Sequence, residues 1–304
     1  MSMPSAKIIL DSVSPEGIRL TTVHMRYWRA IHAELMTHRV FSRNARSSRA
    51  VPISRMIEEV RTDPFIPQHW GKNQKGMQAT EECNEPVSIY SPHIGRFELD
   101  RRESWLWARD QAVDAAVGFA DAGYHKQLVN RLLEPFMWID TLVTSTDWAN
   151  FYHLRLHSDA EPHMIDLARA TRAAMDDSVP KRLQPGEWHL PYVTQVDWLD
   201  LCGGHGGFPK DDAIDWLRKI SVARCARISY TPFDGRADFQ AELERHDKLV
   251  VSDPLHASPA EHQATPDILR YDGFDDVWDE PNEHGNFRGW RQYRKMLPNE
   301  CVND

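Results

Sequence analysis

The chain has 304 residues, 41% of them apolar and 27% charged, which is enough apolar material for one large core or two modest ones and excludes a disordered polypeptide. The net charge of −9 argues against broad nucleic-acid binding, which needs a basic surface. No apolar run approaches the roughly 18 residues of a membrane span, and the first ten residues show neither an apolar h-region nor a cleavage site, so neither a membrane partner nor export is expected. Cys83, Cys202, Cys225 and Cys301 are scattered without a C-x-x-C pair, which fits reduced thiols in a cytoplasmic compartment.

In chain order, the β-branched run 18–25 predicts a strand. Residues 26–37 predict a helix, with Trp28, Ile31 and Leu35 at i, i+3 and i+7. A polar loop, 38–52, ends at Pro52, and a short helix from Ile53 to Arg61 is stopped by Asp63-Pro64. Four prolines and little periodicity between Pro64 and Pro92 predict an irregular stretch. A strong helix is expected over 101–122, with Ala112, Val113, Ala116, Val117 and Ala120 on one face and Gly123 as its stop. Two more helices are expected over about 125–145 and 147–176. The glycine-rich stretch 201–209 lacks the lysine and spacing of a phosphate loop and reads as a linker. A helix from Asp211 to Ser221, a helix-to-loop block over 222–262 and a polar tail over 263–304 complete the chain.

Between Glu34 and Glu58 there is no acidic residue, and the gap holds His38, Arg39, Arg43, Arg46 and Arg49. A basic island in an acidic chain is either a phosphate site or a solvated turn. Three segments carry further chemistry. The first is Thr37-His-Arg-Val-Phe-Ser-Arg-Asn-Ala-Arg-Ser-Ser-Arg49. The second is Asn130-Arg131-Leu-Leu-Glu-Pro135 with Asn150-Phe-Tyr-His-Leu-Arg155. The third is Cys225-Ala-Arg-Ile-Ser229-Tyr230 with His256-Ala-Ser258-Pro-Ala-Glu261-His262. His256, Glu261 and His262 are possible metal ligands, but the spacing is not H-E-x-x-H and no third cluster completes a site, so no metal is expected.

The first segment resembles the signature loop of flavin-dependent thymidylate synthases, R-H-R-x-x-S-x-N-E-x-S-x-R-Y, matching at His38, Arg39, Ser42, Asn44, Ser47 and Arg49 and departing at Thr37, Ala45 and Ala50. The second resembles that family's A-R-x-x-L-P and N-F-L-x-L-R segments, with Thr144 and Thr146 where the family has Asn and Arg. The third resembles its A-R-x-S-[FY] and H-x-[ST]-P-x-E-H segments. The resemblance covers about 18–50, 120–165 and 222–262. It leaves out an irregular insertion at about 51–105 and the tail 263–304. In the family the third block precedes the signature loop, so the order here resembles a circular permutation cut just after His262, which neighbouring termini permit.

The resemblance implies an α+β fold with helices around an antiparallel sheet, as a single domain over 1–304, assembled as a homotetramer. It implies that His38, Arg39, Asn44, Asn150, Ser229, His256, Ser258 and Glu261 hold FAD. Ser47, Arg49, Arg131 and Arg155 would hold a pyrimidine deoxynucleotide monophosphate, with Glu34 standing where the family has Gln. The implied activity is FAD-dependent methylation of C5 of dUMP to dTMP, with methylenetetrahydrofolate and NADPH as co-substrates. Arg155 would be the catalytic donor at the pyrimidine carbonyls, stabilising charge as C5 attacks. No enzyme thiol adduct is expected, since no cysteine lies in an active segment. Two rivals remain: C5 hydroxymethylation, or methylation of another pyrimidine nucleotide such as dCMP, which Ala45 and Glu34 suggest, and a catalytically silent flavin or nucleotide binder, against which the intact arginine set argues.

Overall fold

The computed structural model describes residues 2–202, 210–228, 238–250, 256–298 and 300–301. Its centre is a five-stranded sheet. Strand β1 (Ser5–Val13) runs antiparallel to β2 (Arg19–Trp28). The chain then makes a 3-10 turn at Arg29–Ile31 and one turn of helix α1 (His32–Leu35) before β3 (Ser42–Ala45). A 3-10 turn at Ser48–Ala50 leads into α2 (Ile53–Thr62), the hairpin β4 (Val87–Ser91) and β5 (Gly95–Leu99), and the long helix α3 (Arg101–Asp121). Next come α4 (Lys126–Val129), a 3-10 segment over Asn130–Phe136, β6 (Trp138–Ser145), α5 (Ala149–Arg155) and α6 (Pro162–Asp176). The rest is β7 (Lys181–Arg182), α7 (Gln195–Cys202), α8 (Lys210–Ala226), α9 (Phe239–Val250) and a 3-10 turn at Ser258–Glu261. Short strands β8 (Ala264–Pro266), β9 (Leu269–Tyr271), β10 (Asp276–Trp278) and β11 (Trp290–Gln292) close the chain.

The sheet order is β3-β6-β2-β1-β7, antiparallel throughout except for β1 with β7. The fold is therefore mixed α+β with an antiparallel-dominated sheet, as expected. The helix expected at 125–145 is realised only as α4 and the 3-10 segment that follows it, and its second part, Trp138–Ser145, is strand β6. Ile139, Thr141, Val143 and Thr144 are β-branched and pack better on a pleated surface than along a helix, and all eight residues of β6 are buried. The helix expected at 26–37 shrinks to the turns at 29–35 because β2 runs on to Trp28. The helix at 147–176 is broken in two: Pro162 starts α6, and the Glu161 carboxylate accepts from the Met164 backbone N–H at 2.8 Å, capping the new helix. Helix α3 keeps its expected bounds. Asp100 and Glu103 form a capping box at its start, and Gly123 follows its end at φ 86°.

Two expected stretches gain structure. The insertion holds α2, the β4–β5 hairpin and the start of α3, and its apolar residues Met56 and Val60 pack with Val113, Leu133 and Phe136 in a cluster of their own. The tail is not a loose appendage. Trp290 is fully buried with Leu20, Leu183, Ala264 and Phe287, and its indole N–H donates to the Ile18 carbonyl at 3.1 Å. The main core lies where Val23, Tyr27, Ile139 and Val143 of the sheet meet Phe151, Met164 and Leu167 of α5 and α6. Among the described residues no helix is long and apolar enough to cross a membrane.

Candidate active site

Strand β3 organises the site. It is an edge strand, bonded to β6 through Ser42–Thr144 to Ala45–Thr141, and at about 3.3 Å per residue it is about 13 Å long. Just before it lies the cluster built on Arg155, and just after it the turn that bears Arg49.

Arg155 comes from the last turn of α5, and its side chain keeps 17% exposure. Its Nε donates to His38 Nε2 at 3.0 Å, and one terminal nitrogen donates to the Glu34 carboxylate at 3.3 Å. The other donates to the Glu34 carbonyl at 3.3 Å and to the Thr37 hydroxyl at 3.1 Å. A guanidinium has five N–H groups, so these four bonds leave one, on the nitrogen that faces Glu34. Because His38 accepts at Nε2, its proton sits on Nδ1. Burial, with Arg155 and Arg43 nearby, lowers its pKa to about 4, so the ring is neutral at pH 7. Phe41 and Phe151 flank the ring, with centroids 5.5 and 5.1 Å away. Burial and the neighbouring Glu161 carboxylate raise the Glu34 pKa, against the pull of Arg155. Arg155 and Glu34 form one wall of a cavity of about 720 Å³. The insertion supplies another wall through His69, Glu81 and Glu82.

The residues after β3 form a second centre. Asn130 is buried, and its amide donates to the Ser48 carbonyl at 2.8 Å and the Val51 carbonyl at 3.0 Å. This clasp brings exposed Ser47 and Arg49 to the same end of the molecule as exposed Arg131. Arg131 uses only its Nε, on the Gln127 carbonyl at 3.2 Å. Arg49 and Arg39 are exposed and have no side-chain partner among the described residues. Arg46, by contrast, is spent on a bidentate pair with Glu59 at 2.9 and 2.8 Å and belongs to the framework.

The C-terminal block reaches the other side of β3. The Asn44 amide donates to the Cys225 carbonyl at 2.7 Å, and β3 lies beside the turn Ser258–Glu261. The Gln292 amide bridges them, donating to the Ser42 hydroxyl at 3.0 Å and the Glu261 carbonyl at 3.0 Å. The Glu261 carboxylate pairs with Arg294. His256 and Ser258 are exposed, as is Asn150 in the first turn of α5; Ser229 lies outside the described residues. Beyond His262, Ala264 pairs with His189 and shares a cluster with Ile18 and Leu20 at the start of β2. The chain leaving the block thus arrives where the 18–25 strand begins, and that strand lies inside the sheet.

Sequence reasoning missed Gln292, Arg294 and His189. A hydrogen-bonded chain crosses the sheet through Ser12, His189, Thr22, Thr144 and His262, with successive separations of 2.9, 2.8, 2.7 and 2.9 Å. Both histidines are fully buried, and burial lowers their pKa values to about 3. The signal available was Thr144, which departs from the resembled pattern but sits opposite another threonine across β2 and β6. Cys225 is buried and its thiol is pushed up by burial, so it supplies no thiolate. Among the described residues no group of histidine, cysteine and carboxylate side chains could hold a metal ion.

The donor set fits an anionic cofactor in part. Arg39, Asn150, His256 and Ser258 are exposed, while Asn44 and Glu261 already serve neighbouring protein groups. No family model and no curated protein matches the chain.

Proposed function

We propose that this protein is an FAD-dependent enzyme that builds a one-carbon group on C5 of a pyrimidine deoxynucleotide, converting dUMP to dTMP with methylenetetrahydrofolate and NADPH. The observation that carries the reading is the convergence on β3. Three segments far apart in sequence, each similar to a part of the flavin-dependent thymidylate synthase site, meet around it: the second through Arg155 to His38 and Asn130 to the Ser48 carbonyl, the third through Asn44 to Cys225 and through Gln292 to both Ser42 and Glu261. Circular permutation with the cut after His262 accounts for their order, and the meeting of Ala264 with Leu20 supports it.

Arg39, Asn150, His256 and Ser258 would hold FAD, with Asn44 and Glu261 fixing the backbone and arginine beside it. Bound FAD would supply the hydride and NADPH would recharge it. Charge sorts the nucleotide's two ends. The cavity beside Arg155 carries Glu34, Glu81, Glu82, Asp159 and Glu161, which repel a phosphate and suit the uncharged base. Ser47, Arg49 and Arg131 suit the phosphate. Neutral His38 and Glu34 hold the guanidinium of Arg155 in place, and its remaining N–H would meet the base carbonyl as negative charge grows there. The family's homotetramer is carried over as part of this proposal.

One observation favours a second reading. Ala45 packs against the main core, whereas the Glu34 carboxylate faces the base cavity. A carboxylate there can accept from the exocyclic amine of cytosine, so dCMP is the alternative substrate. Incubating the protein with dUMP and with dCMP in turn, with FAD, folate and NADPH, and weighing the nucleotide products separates the two. Unmodified nucleotide in both arms rejects both.

A further inference from the structure

The insertion carries a second cavity, lined by residues that the proposed reaction does not use. It holds about 570 Å³, within the usual range for small-molecule sites, between the end of α2 and the first turns of α3. Its apolar lining includes Ile66, which is largely buried, and Leu106. Its charged groups are Arg61, Arg102, Arg109 and Asp63. Asp63 is already engaged, accepting from Arg26 at 2.8 Å and from the Ser2 hydroxyl at 2.7 Å. Arg109 donates to the Arg61 carbonyl at 3.1 Å, closing the end of α2. Arg61 and Arg102 are exposed, and neither side chain has a partner among the described residues.

Acidic residues outnumber basic ones in this chain, 45 to 36, and arginines such as Arg19, Arg46, Arg101, Arg224 and Arg227 pair with carboxylates. Two unspent guanidiniums on one cavity, with the single carboxylate there paired to Arg26, make a local positive field in an acidic protein. We propose that this cavity binds a small organic anion: an apolar body on Ile66 and Leu106, and a phosphate or carboxylate head held between Arg61 and Arg102. Guanidinium forks match both head groups, so the two chemistries share one site. The proposal is independent of the reaction at Arg155.

The test is protection of individual arginines from phenylglyoxal, read by peptide mass spectrometry, with phenyl phosphate in one arm and phthalate in the other. Chloride at equal ionic strength is the reference. Modification of Arg61 and Arg102 should fall together in at least one arm and not with chloride, and the protecting arm identifies the head group. Arg102→Gln should abolish protection of Arg61 and weaken binding by about tenfold or more, as expected for a lost charge-assisted contact. Equal modification in all three solutions, or protection of Arg61 that survives Arg102→Gln, overturns the proposal.

Discussion

Lowering the pH from 7 to 5 should cost this protein about 4 kcal/mol of stability through two side chains, His189 and His262. Both rings are fully buried, and burial lowers their pKa values to about 3 from an ordinary 6.5. The unfolded chain takes up protons on these rings below pH 6.5, whereas the folded chain stays neutral until about pH 3. Stability is thus intact above pH 6.5 and falls as the pH drops through the window between the two values. At pH 5 the unfolded state gains about 2 kcal/mol per ring over its value in neutral solution, from about one and a half pH units at 1.36 kcal/mol each. Depressed carboxylates such as Asp197, with a pKa of about 2, lose their contribution only at lower pH. Glu34, whose pKa is raised, works in the opposite direction. Burial also lowers the pKa values of His32 and His38 to about 4, and both add to the same slope. Urea denaturation at pH 5, 6, 7 and 8 measures it, and H189Q and H262Q should each take about 2 kcal/mol off the change between pH 7 and 5, whatever they do to stability at pH 8. Stability that does not change between pH 7 and 5, or a slope unchanged in both variants, would refute the burial argument.

Three other outcomes follow from the site. Arg155→Ala should lower turnover by about 10²–10³ while largely sparing FAD binding, because the donor acts on charge that appears only during reaction; single-turnover kinetics and a flavin titration separate the two. Arg49→Ala should raise the nucleotide KM with little change in kcat, since a phosphate contact acts in ground and transition states alike. Thr144→Val removes the shared partner of Thr22 and His262 and should destabilise the fold by about 1–3 kcal/mol, read by thermal or urea denaturation.

What the sequence made legible was local. The 3.6-residue period and the caps placed α2 and α3, and the β-branched run placed β2. The resemblance of the 38–49 and 150–155 segments to one family's patterns marked His38, Arg49 and Arg155, and His38 and Arg155 are bonded. What it hid was long-range. Trp138–Ser145 does not announce a strand by alternation because both of its faces are buried and its polar residues Asp140, Thr141, Thr144 and Ser145 are buried with the apolar ones. The tail looked like surplus because Trp290, Gln292 and Arg294 are polar or isolated in sequence. Their importance comes from partners more than 30 residues away: Ile18, Ser42 and Glu261. His189 escaped notice for the same reason, and His262 was read only as a possible metal ligand, since their side-chain hydrogen bonds run across the sheet.

The central claim is tested most directly by mass spectrometry of the nucleotide after incubation with the protein, FAD, methylenetetrahydrofolate and NADPH. We expect a protein that takes up FAD at micromolar concentration and a pyrimidine that gains one carbon at C5 only when all three small molecules are present. A protein that binds no FAD and returns both dUMP and dCMP unchanged would contradict the account.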